Sequence, residues 1–303
     1  MPIFVTMRLC LRHFLICRLI ITFAVVALVS ADRVVDAQDD VFPKTLFRWS
    51  QESAEPQDEE HEDKIVTDRP HFSEASSLVG LGRVQIETGY TYVRDSDNGS
   101  VVQTHSFGEP LLRAGLFAEW FEFRLGYTYL VEQSRTPGGP NSRFSGSDDL
   151  YVGAKLALTE QSGWLPEMAI FPQARIPTGS SHFTNSQVLP GFNLAYSWKL
   201  NDWIELECNT QLNRRRDDFS HFYTEFIQTA NVEYDLTDRI GAFTEWIVFV
   251  PSGSLTAQTE HYFHGGFVYL LSNDVQIDIH SAIGLNRPAD NLAFTGMGLS
   301  FRF

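Results

Sequence analysis

From about residue 116 onward, the chain repeats one unit: an alternating segment, a tight turn, a second alternating segment and a longer polar loop. The last segment shows the pattern clearly, since Met297, Leu299 and Phe301 alternate with glycine, serine and Arg302. Successive side chains of a strand point to opposite faces, so such a segment has one apolar face and one polar or small face. This repetition is typical of a barrel whose outer wall contacts lipid and whose inner wall contacts water.

The alternation predicts an all-β fold, a transmembrane antiparallel up-and-down β-barrel of about 12 strands. An even count places both ends of the barrel on the short-turn side. Some strands fit poorly: Pro110 and Pro172 cannot donate a ladder hydrogen bond, and the eighth strand would turn Thr224 and Gln228 toward lipid. The predicted strands lie near residues 84–94, 101–116, 120–133, 149–159, 167–178, 190–200, 203–214, 222–235, 239–250, 260–271, 274–285 and 293–303.

The connections support this interpretation independently. Long segments rich in Gly, Pro, Asn and Asp separate the hairpins, and the longest, residues 135–148, is predicted to fold into the lumen as a constriction. Short turns on one rim and long loops on the other are typical of outer-membrane barrels. The tight turns, in which short polar residues follow an apolar one, are at residues 117–120, 200–203, 236–239 and 271–274.

The N-terminal stretch is predicted to be a signal peptide, residues 1–31. A basic region precedes an apolar core at residues 19–29, and small residues offer cleavage after Ala31 or Ala37. The alternative is a membrane-anchoring helix at residues 14–29, which is shorter than the roughly 20 apolar residues that a spanning helix needs.

Residues 32–64 are predicted to be a flexible periplasmic tail, followed by the barrel at residues 65–303. The tail is crowded with Asp and Glu and has few apolar residues, so it cannot bury enough surface to offset its ordering entropy. The formal net charge of the chain is -15, which excludes a nucleic-acid partner because phosphate binding needs a basic face. Without the signal peptide, Cys208 is the one remaining cysteine, and it is predicted to face lipid.

Three short motifs carry a family resemblance. The sequence IVTDRPHFSE at residues 65–74 is followed by GRVQIETGY at residues 82–90 and by EPLLRAGL at residues 109–116. In these motifs the chain resembles the outer-membrane family labelled "MetA-pathway of phenol degradation", a set of transporters, and the Thr-Asp-Arg-Pro opening is the most specific part. The resemblance implies an outer-membrane barrel that passes aromatic or other small organic compounds.

The predicted inward positions divide the lumen into two walls of opposite charge. The second to sixth strands carry mainly cations and the seventh to eleventh carry carboxylates, which would set up a transverse field that orients polar solutes. The alternative is that these charges pair across the lumen and close it. The candidate lumen-lining residues are Glu87, Arg113, Arg124, Lys155, Arg175, Lys199, Glu205, Glu207, Glu225, Glu245 and Asp278.

No enzymatic, cofactor or metal site is expected. His221, His261, His264 and His280 lack a convincing ligand spacing with a carboxylate. His280 and Ser281 point to opposite faces of their strand, so they cannot form a nucleophile–base pair.

The sequence therefore predicts a channel for small organic solutes in the outer membrane of a diderm bacterium, with the N-terminal tail in the periplasm. The expected partners are outer-membrane lipid, a small-molecule solute and the barrel-assembly machinery, which would recognise the last strand ending at Phe303. The alternative function is a non-transporting structural or adhesive surface barrel, and an outer-membrane hydrolase is a third, weaker one.

Overall fold

The structure is a computed structural model, and it describes residues 44–47, 64–97, 99–217 and 219–303. The predicted signal peptide and nearly all of the predicted acidic tail lie outside the described residues. In the described part of the chain, no helix is long and apolar enough to cross a membrane.

Fourteen strands form one antiparallel sheet that closes on itself, because β1 pairs with both β2 and β14. The strands are β1 (Val84–Asp97), β2 (Ser100–Gly115), β3 (Phe121–Gly126), β4 (Tyr129–Arg135), β5 (Ser142–Ser147), β6 (Leu150–Thr159), β7 (Glu167–Ile176), β8 (Leu189–Asn201), β9 (Ile204–Arg216), β10 (Phe222–Asp235), β11 (Ile240–Ser252), β12 (Glu260–Ser272), β13 (Val275–Gly284) and β14 (Leu292–Arg302).

These fourteen strands occupy twelve positions in the barrel wall, because β3 and β4 continue each other along β2, and β5 and β6 continue each other in the next position. The breaks fall at Tyr127–Thr128 and Asp148–Asp149. The Tyr127 N–H donates to the carbonyl oxygen of Pro110 at 3.0 Å, so the chain stays attached to β2 across the break. The predicted antiparallel barrel of 12 strands is confirmed.

The prediction that residues 135–148 form a long loop folded into the lumen is wrong. Ser142–Ser147 is strand β5, paired with β4, and only residues 136–141 connect the two strands. Those six residues are exposed. The segment that forms β5 consists mainly of serine, glycine and one arginine, so it lacks the apolar alternation that marks the other strands.

Both prolines lie in the wall where the ladder is already irregular. Gly108 and Glu109 have positive φ values of 77° and 40°. The β1–β2 pairing is interrupted between Gly108 and Leu111, so Pro110 lies within the irregular stretch. Pro172 of β7 pairs with Phe192 of β8. On the β6 side, the pairing of β7 is interrupted between Gln173 and Ile170, so Pro172 has no paired residue there. Neither proline therefore removes a hydrogen bond from a regular ladder.

The two faces of the wall have opposite character. Phe267, Ile279, Ile283 and Met297 point outward and remain 55–58% exposed, which suits contact with lipid. Cys208, predicted to face lipid, alternates with the buried Glu207 and Asn209 on β9. The inner face is predominantly polar and charged, and its largest side chains are completely buried.

The inner face is buried because residues 64–83, here called the luminal loop, fill the barrel. The loop starts at the rim, where the N–H of Ile65 donates to the carbonyl oxygen of Asn273 at 2.7 Å. It returns to the same rim, where the N–H of Gly82 donates to the carbonyl oxygen of Gly115 at 2.9 Å. Both contacts lie beside short turns, so the loop enters and leaves the lumen from the short-turn side.

Candidate functional site

Carboxylates of the wall bind the backbone of the luminal loop. Glu87 on β1 accepts a hydrogen bond from the N–H of Asp68 at 3.1 Å. On the opposite side, Glu245 of β11 accepts from the N–H groups of Phe72 and Ser73 at 2.8 and 2.6 Å. A buried backbone N–H needs a partner, and the loop has no strand neighbour to supply one. The wall carboxylates therefore replace the ladder that holds other extended segments.

Three buried cations converge on one loop carboxylate, Asp68. The nearest atoms of Arg124, Arg113 and Lys155 lie 2.7, 3.4 and 3.4 Å from its oxygens. Burial alone would raise the pKa of Asp68, but these cations outweigh it and hold the pKa far below its ordinary value. Because each cation is fully buried, removal of the shared anion would leave three positive charges facing only two wall carboxylates, Glu87 and Glu122. Asp68 is thus the centre of an ionic clamp.

Further contacts hold the loop on either side of this clamp. Glu74 accepts hydrogen bonds from Arg124 and Asn193, both at 2.7 Å. Arg69 forms ion pairs with Glu109 at 2.8 Å and with Asp278 at 3.3 Å. The loop therefore contributes charges of both signs, each matched to an opposite charge or an amide on the wall.

A chain of hydrogen bonds extends from the loop into the wall on the β11–β13 side. Ser73 Oγ donates to Glu245 at 2.6 Å, and the same carboxylate lies 2.8 Å from Nδ1 of His264. Nε2 of His264 is 2.9 Å from Nδ1 of His280. The serine contacts a carboxylate rather than an imidazole, so this geometry does not provide a hydroxyl activated by a histidine base.

Two cavities adjoin the luminal loop, and Phe72 borders both. The first has a volume of about 390 Å³ and a mixed lining, in which polar and charged residues such as Arg124, Tyr151, Arg175 and Asn213 lie among apolar surface. We call it the polar cavity.

The second cavity has a volume of about 520 Å³ and includes Ile247, Phe249, Tyr262 and Phe294 in its lining. We call it the apolar cavity. It accounts for the poor fit of the predicted eighth strand, β10: Ile227 is buried on the cavity side in a cluster with Ile247, while Gln228 faces outward. The lumen thus combines charged and aromatic surfaces on opposite sides of one phenylalanine.

Seven of the eleven candidate lumen-lining residues contact the luminal loop. They are Glu87, Arg113, Arg124, Lys155, Glu207, Glu245 and Asp278. At this level the two predicted charged walls are separated by the loop, which pairs with both. Arg113 pairs with Glu87 of the neighbouring strand at 3.1 Å, but within the described residues no ion pair among the eleven candidates crosses the lumen.

The other four candidates lie away from the loop. Arg175 pairs with Asp148 at 2.6 Å and borders the polar cavity. Glu225 pairs with Arg215 at 2.8 Å and borders the apolar cavity. Lys199 is exposed and Glu205 is half-buried, both close to the short turn between β8 and β9. Contact of any of the eleven residues with a solute stays a prediction.

Sequence reasoning missed the loop residues themselves, above all Asp68, His71 and Ser73. Two signals pointed to them. The predicted inward charges outnumbered the partners available on neighbouring strands, and the most specific motif of the family resemblance lay outside every predicted strand. A charged segment next to an imbalance of inward charge is a candidate to fold into that lumen.

A family profile described as "Putative MetA-pathway of phenol degradation" matches residues 67–303. The chain belongs to this family. The match begins at Thr67, so the family's sequence pattern includes the luminal loop as well as the wall. No curated protein sequence matches the chain significantly.

One solved structure agrees on the fold. An outer-membrane channel from Pseudomonas putida F1 is similar with a TM-score of 0.57 and 13% sequence identity, covering 77% of this chain and 99% of the other. The transport unit of the autotransporter AIDA-I from Escherichia coli has a TM-score of 0.49 and 10% identity, covering 73% and 90%. Family and fold together identify this member as an outer-membrane β-barrel.

Proposed function

We propose that this family member is an outer-membrane channel for the passive or facilitated passage of small organic solutes. The observation that carries the proposal is the pair of cavities of about 390 and 520 Å³ that meet at Phe72 inside a closed barrel. Cavities of several hundred Å³ are the size that binds small organic molecules.

The two linings favour solutes that have a polar group and an apolar ring. The polar cavity offers the guanidinium of Arg175 and the amide of Asn213. The apolar cavity offers the aromatic side chains of Phe249 and Phe294. A solute held between them would place its charged or hydroxyl group on one side and its ring on the other. This agrees with the aromatic compounds that the family description implies.

The luminal loop is the obstruction on the proposed route. It contacts strands on all sides of the barrel, from Glu87 on β1 to Glu245 on β11, and so separates the cavities from the short-turn rim. Passage requires the loop to shift within the lumen or to leave it. Because the loop hangs from one rim at both of its ends, it can move without breaking any strand pairing.

The same geometry supports a proposed orientation in the membrane. Short turns are typical of the periplasmic rim of outer-membrane barrels. The luminal loop enters from that rim, so we place the acidic tail that precedes it in the periplasm, after removal of the signal peptide. We infer that Phe303, 74% exposed at the same rim directly after the last strand, is the element that the barrel-assembly machinery recognises.

The alternative function is a structural barrel whose lumen is permanently closed. The buried ion pairs around Asp68 favour it, since a loop held by charges that avoid water opens at a high energetic cost. The two functions differ in one property that can be measured directly, which is conduction.

Planar-bilayer recordings of the purified protein test the proposal, with Arg175→Gln as the informative variant. Arg175 borders the polar cavity and its side chain is 37% exposed, so its replacement changes the lining without touching the clamp. We expect steady unit conductance in the wild type and a shift of ion preference toward cations in the variant, because one positive charge is lost.

The matched control is Arg94→Gln, which removes an exposed arginine on the outer face of β1. Thr91 and Val93, on the inner face of the same strand, border the apolar cavity. It should leave ion preference unchanged. A silent bilayer, together with no uptake of small aromatic acids by liposomes containing the protein, would contradict the channel and favour the structural barrel.

A further inference from the structure

His71 of the luminal loop faces two carboxylates of the wall. Its Nε2 lies 2.7 Å from Glu233 on β10 and 3.7 Å from Glu207 on β9. In the described part of the chain, these three residues are the one group of three or more His, Cys, Asp or Glu whose potential ligand atoms all lie within 4.8 Å of one another. The cluster joins the loop to two adjacent strands.

The tautomer of His71 is fixed by the loop itself. Its Nδ1 contacts the carbonyl oxygen of Ser73, and a carbonyl oxygen can only accept, so Nδ1 carries the hydrogen. Nε2 therefore presents a lone pair to the oxygens of two carboxylates unless a positive charge lies between them. A histidine that donates its other ring N–H to a backbone carbonyl is the usual arrangement of a metal ligand.

The wall supplies a further observation that points to a ligand. Asn231 is completely buried and its Nδ2 lies 3.1 Å from Glu207 and 3.4 Å from Glu233, yet its Oδ1 has no hydrogen-bond partner. An unpartnered buried carboxamide oxygen is costly. A cation at the cluster would give that oxygen, after rotation of the amide, a partner.

We propose that His71, Glu207 and Glu233 bind a divalent transition-metal ion that pins the luminal loop to β9 and β10. Tetrahedral zinc with bonds of about 2.0–2.2 Å sets its ligand atoms about 3.4 Å apart, so the observed 2.7 and 3.7 Å need only small adjustments. The Glu233 side chain is 39% exposed, which leaves an entry path and a position for water.

The donor set selects among cations. An imidazole nitrogen disfavours calcium and magnesium, which take oxygen ligands. One imidazole with two carboxylates and an amide oxygen suits zinc and the other first-row divalent ions. A divalent ion would balance the charge of the cluster in the state in which His71 is neutral and both carboxylates are ionised. The competing state is a protonated His71, which supplies one positive charge and makes no use of the orphaned oxygen of Asn231.

Zinc titration of the purified, EDTA-stripped, full-length protein without a histidine tag tests the site. Isothermal titration calorimetry should find one Zn²⁺ per barrel in the wild type. The variants His71→Gln and Glu233→Gln should each bind about ten-fold or more weakly. His221→Gln, which removes an exposed histidine in the β9–β10 loop, should bind as the wild type does.

Heat-modifiable migration on a gel checks that each variant has formed its barrel. If His71→Gln fails that check, Glu233→Gln keeps the test decisive because its partly exposed carboxylate is replaced by an isosteric amide. Absence of saturable zinc binding, or equal binding by the wild type and both ligand variants, would overturn the site.

Hydrogen exchange measures the pinning separately. Zinc should slow amide exchange over residues 66–76 in the wild type and leave it unchanged in Glu233→Gln. Saturable binding without slowed exchange would overturn the pinning role. We also expect zinc to lower the conductance of the wild type. This expectation alone rests on the proposed channel, so a silent bilayer would leave the binding and exchange results interpretable.

Discussion

The two sides of the lumen hold the same loop by different physical means. On the cationic side, formed by β2, β3 and β6, the fully buried Arg113, Arg124 and Lys155 meet the charged carboxylate of Asp68. On the acidic side, formed by β9 to β13, one ion pair joins Asp278 to Arg69, whereas Glu245 accepts hydrogen bonds from neutral backbone N–H groups and has an apolar cavity beside it.

This difference indicates which side of the lumen releases the luminal loop less readily. If the cations lose Asp68, they carry a desolvation penalty that the two remaining wall carboxylates, Glu87 and Glu122, offset only in part. A wall carboxylate that loses a neutral N–H can be rehydrated from the adjoining cavity at the smaller cost of a hydrogen bond. We therefore expect the cationic side to act as the fixed anchor of the loop and the acidic side to yield first.

The largest expected effect comes from Asp68→Asn, which breaks the anchor while keeping the side-chain shape. Three buried cations lose their shared anion, so docking of the loop should weaken by about 3–5 kcal/mol. Hydrogen exchange over residues 66–76 should become faster, and unit conductance in planar bilayers should rise.

The control for this variant is Asp148→Asn, which breaks the ion pair with Arg175. Those two side chains are 23% and 37% exposed, so their pair is worth about 0–1 kcal/mol. Equal effects of Asp68→Asn and Asp148→Asn would mean that the buried cations do not anchor the loop.

A smaller effect is expected from Phe72→Ala on the other side. Phe72 packs edge-on against Phe249 with ring centroids 5.3 Å apart and borders both cavities. Its replacement should cost about 1.5–3 kcal/mol of loop docking and join the cavities. In liposome assays, uptake of small aromatic solutes should increase more than uptake of zwitterions.

The lipid-facing Phe192→Ala, which removes a ring 41% exposed on the outer wall, is the matched control and should leave uptake unchanged. An increase that is the same for aromatic and zwitterionic solutes would show that Phe72 blocks the route without contributing to selectivity.

The wall was predictable from sequence because the period of a strand is local. The alternation of Met297, Leu299 and Phe301 predicts an outer face, and this prediction requires no information about any other strand. The prediction failed at β5, where Ser142–Ser147 has no apolar face and is recognisable as a strand only from its pairing with β4. The short polar residues of the tight turns are a local signal as well, and they predicted which rim has the short connections.

The luminal loop was not predictable in this way because its conformation has no period. Asp68 binds Arg124, 56 positions away in sequence, and Ser73 contacts Glu245, 172 positions away. Alternation predicted that these wall charges point inward, but it did not predict that the luminal loop supplies their partners. The candidate metal cluster was missed for the same reason, since its ligands come from the loop, β9 and β10.

The smallest expected effect is that of mild acid on the anchor. In the docked loop, burial alone would raise the pKa of Asp68, but the cations outweigh it and hold the pKa far below the ordinary value, near 3.9, that the undocked loop regains. A depressed pKa contributes stability that is fully present above the undocked value and is lost as pH falls toward the docked one. The charged groups facing Asp68 are Glu87, Glu122, Arg113, Arg124 and Lys155.

The difference in hydrogen exchange between wild type and Asp68→Asn should therefore stay constant from about pH 7.5 to about pH 5, after correction for the intrinsic rate. The variant cannot titrate at this position, so taking the difference isolates the carboxylate of Asp68 from acidic groups elsewhere in the lumen. A difference that vanished near pH 6 would mean that burial outweighs the three cations at Asp68. The contrast between a fixed cationic side and a yielding acidic side would then be lost.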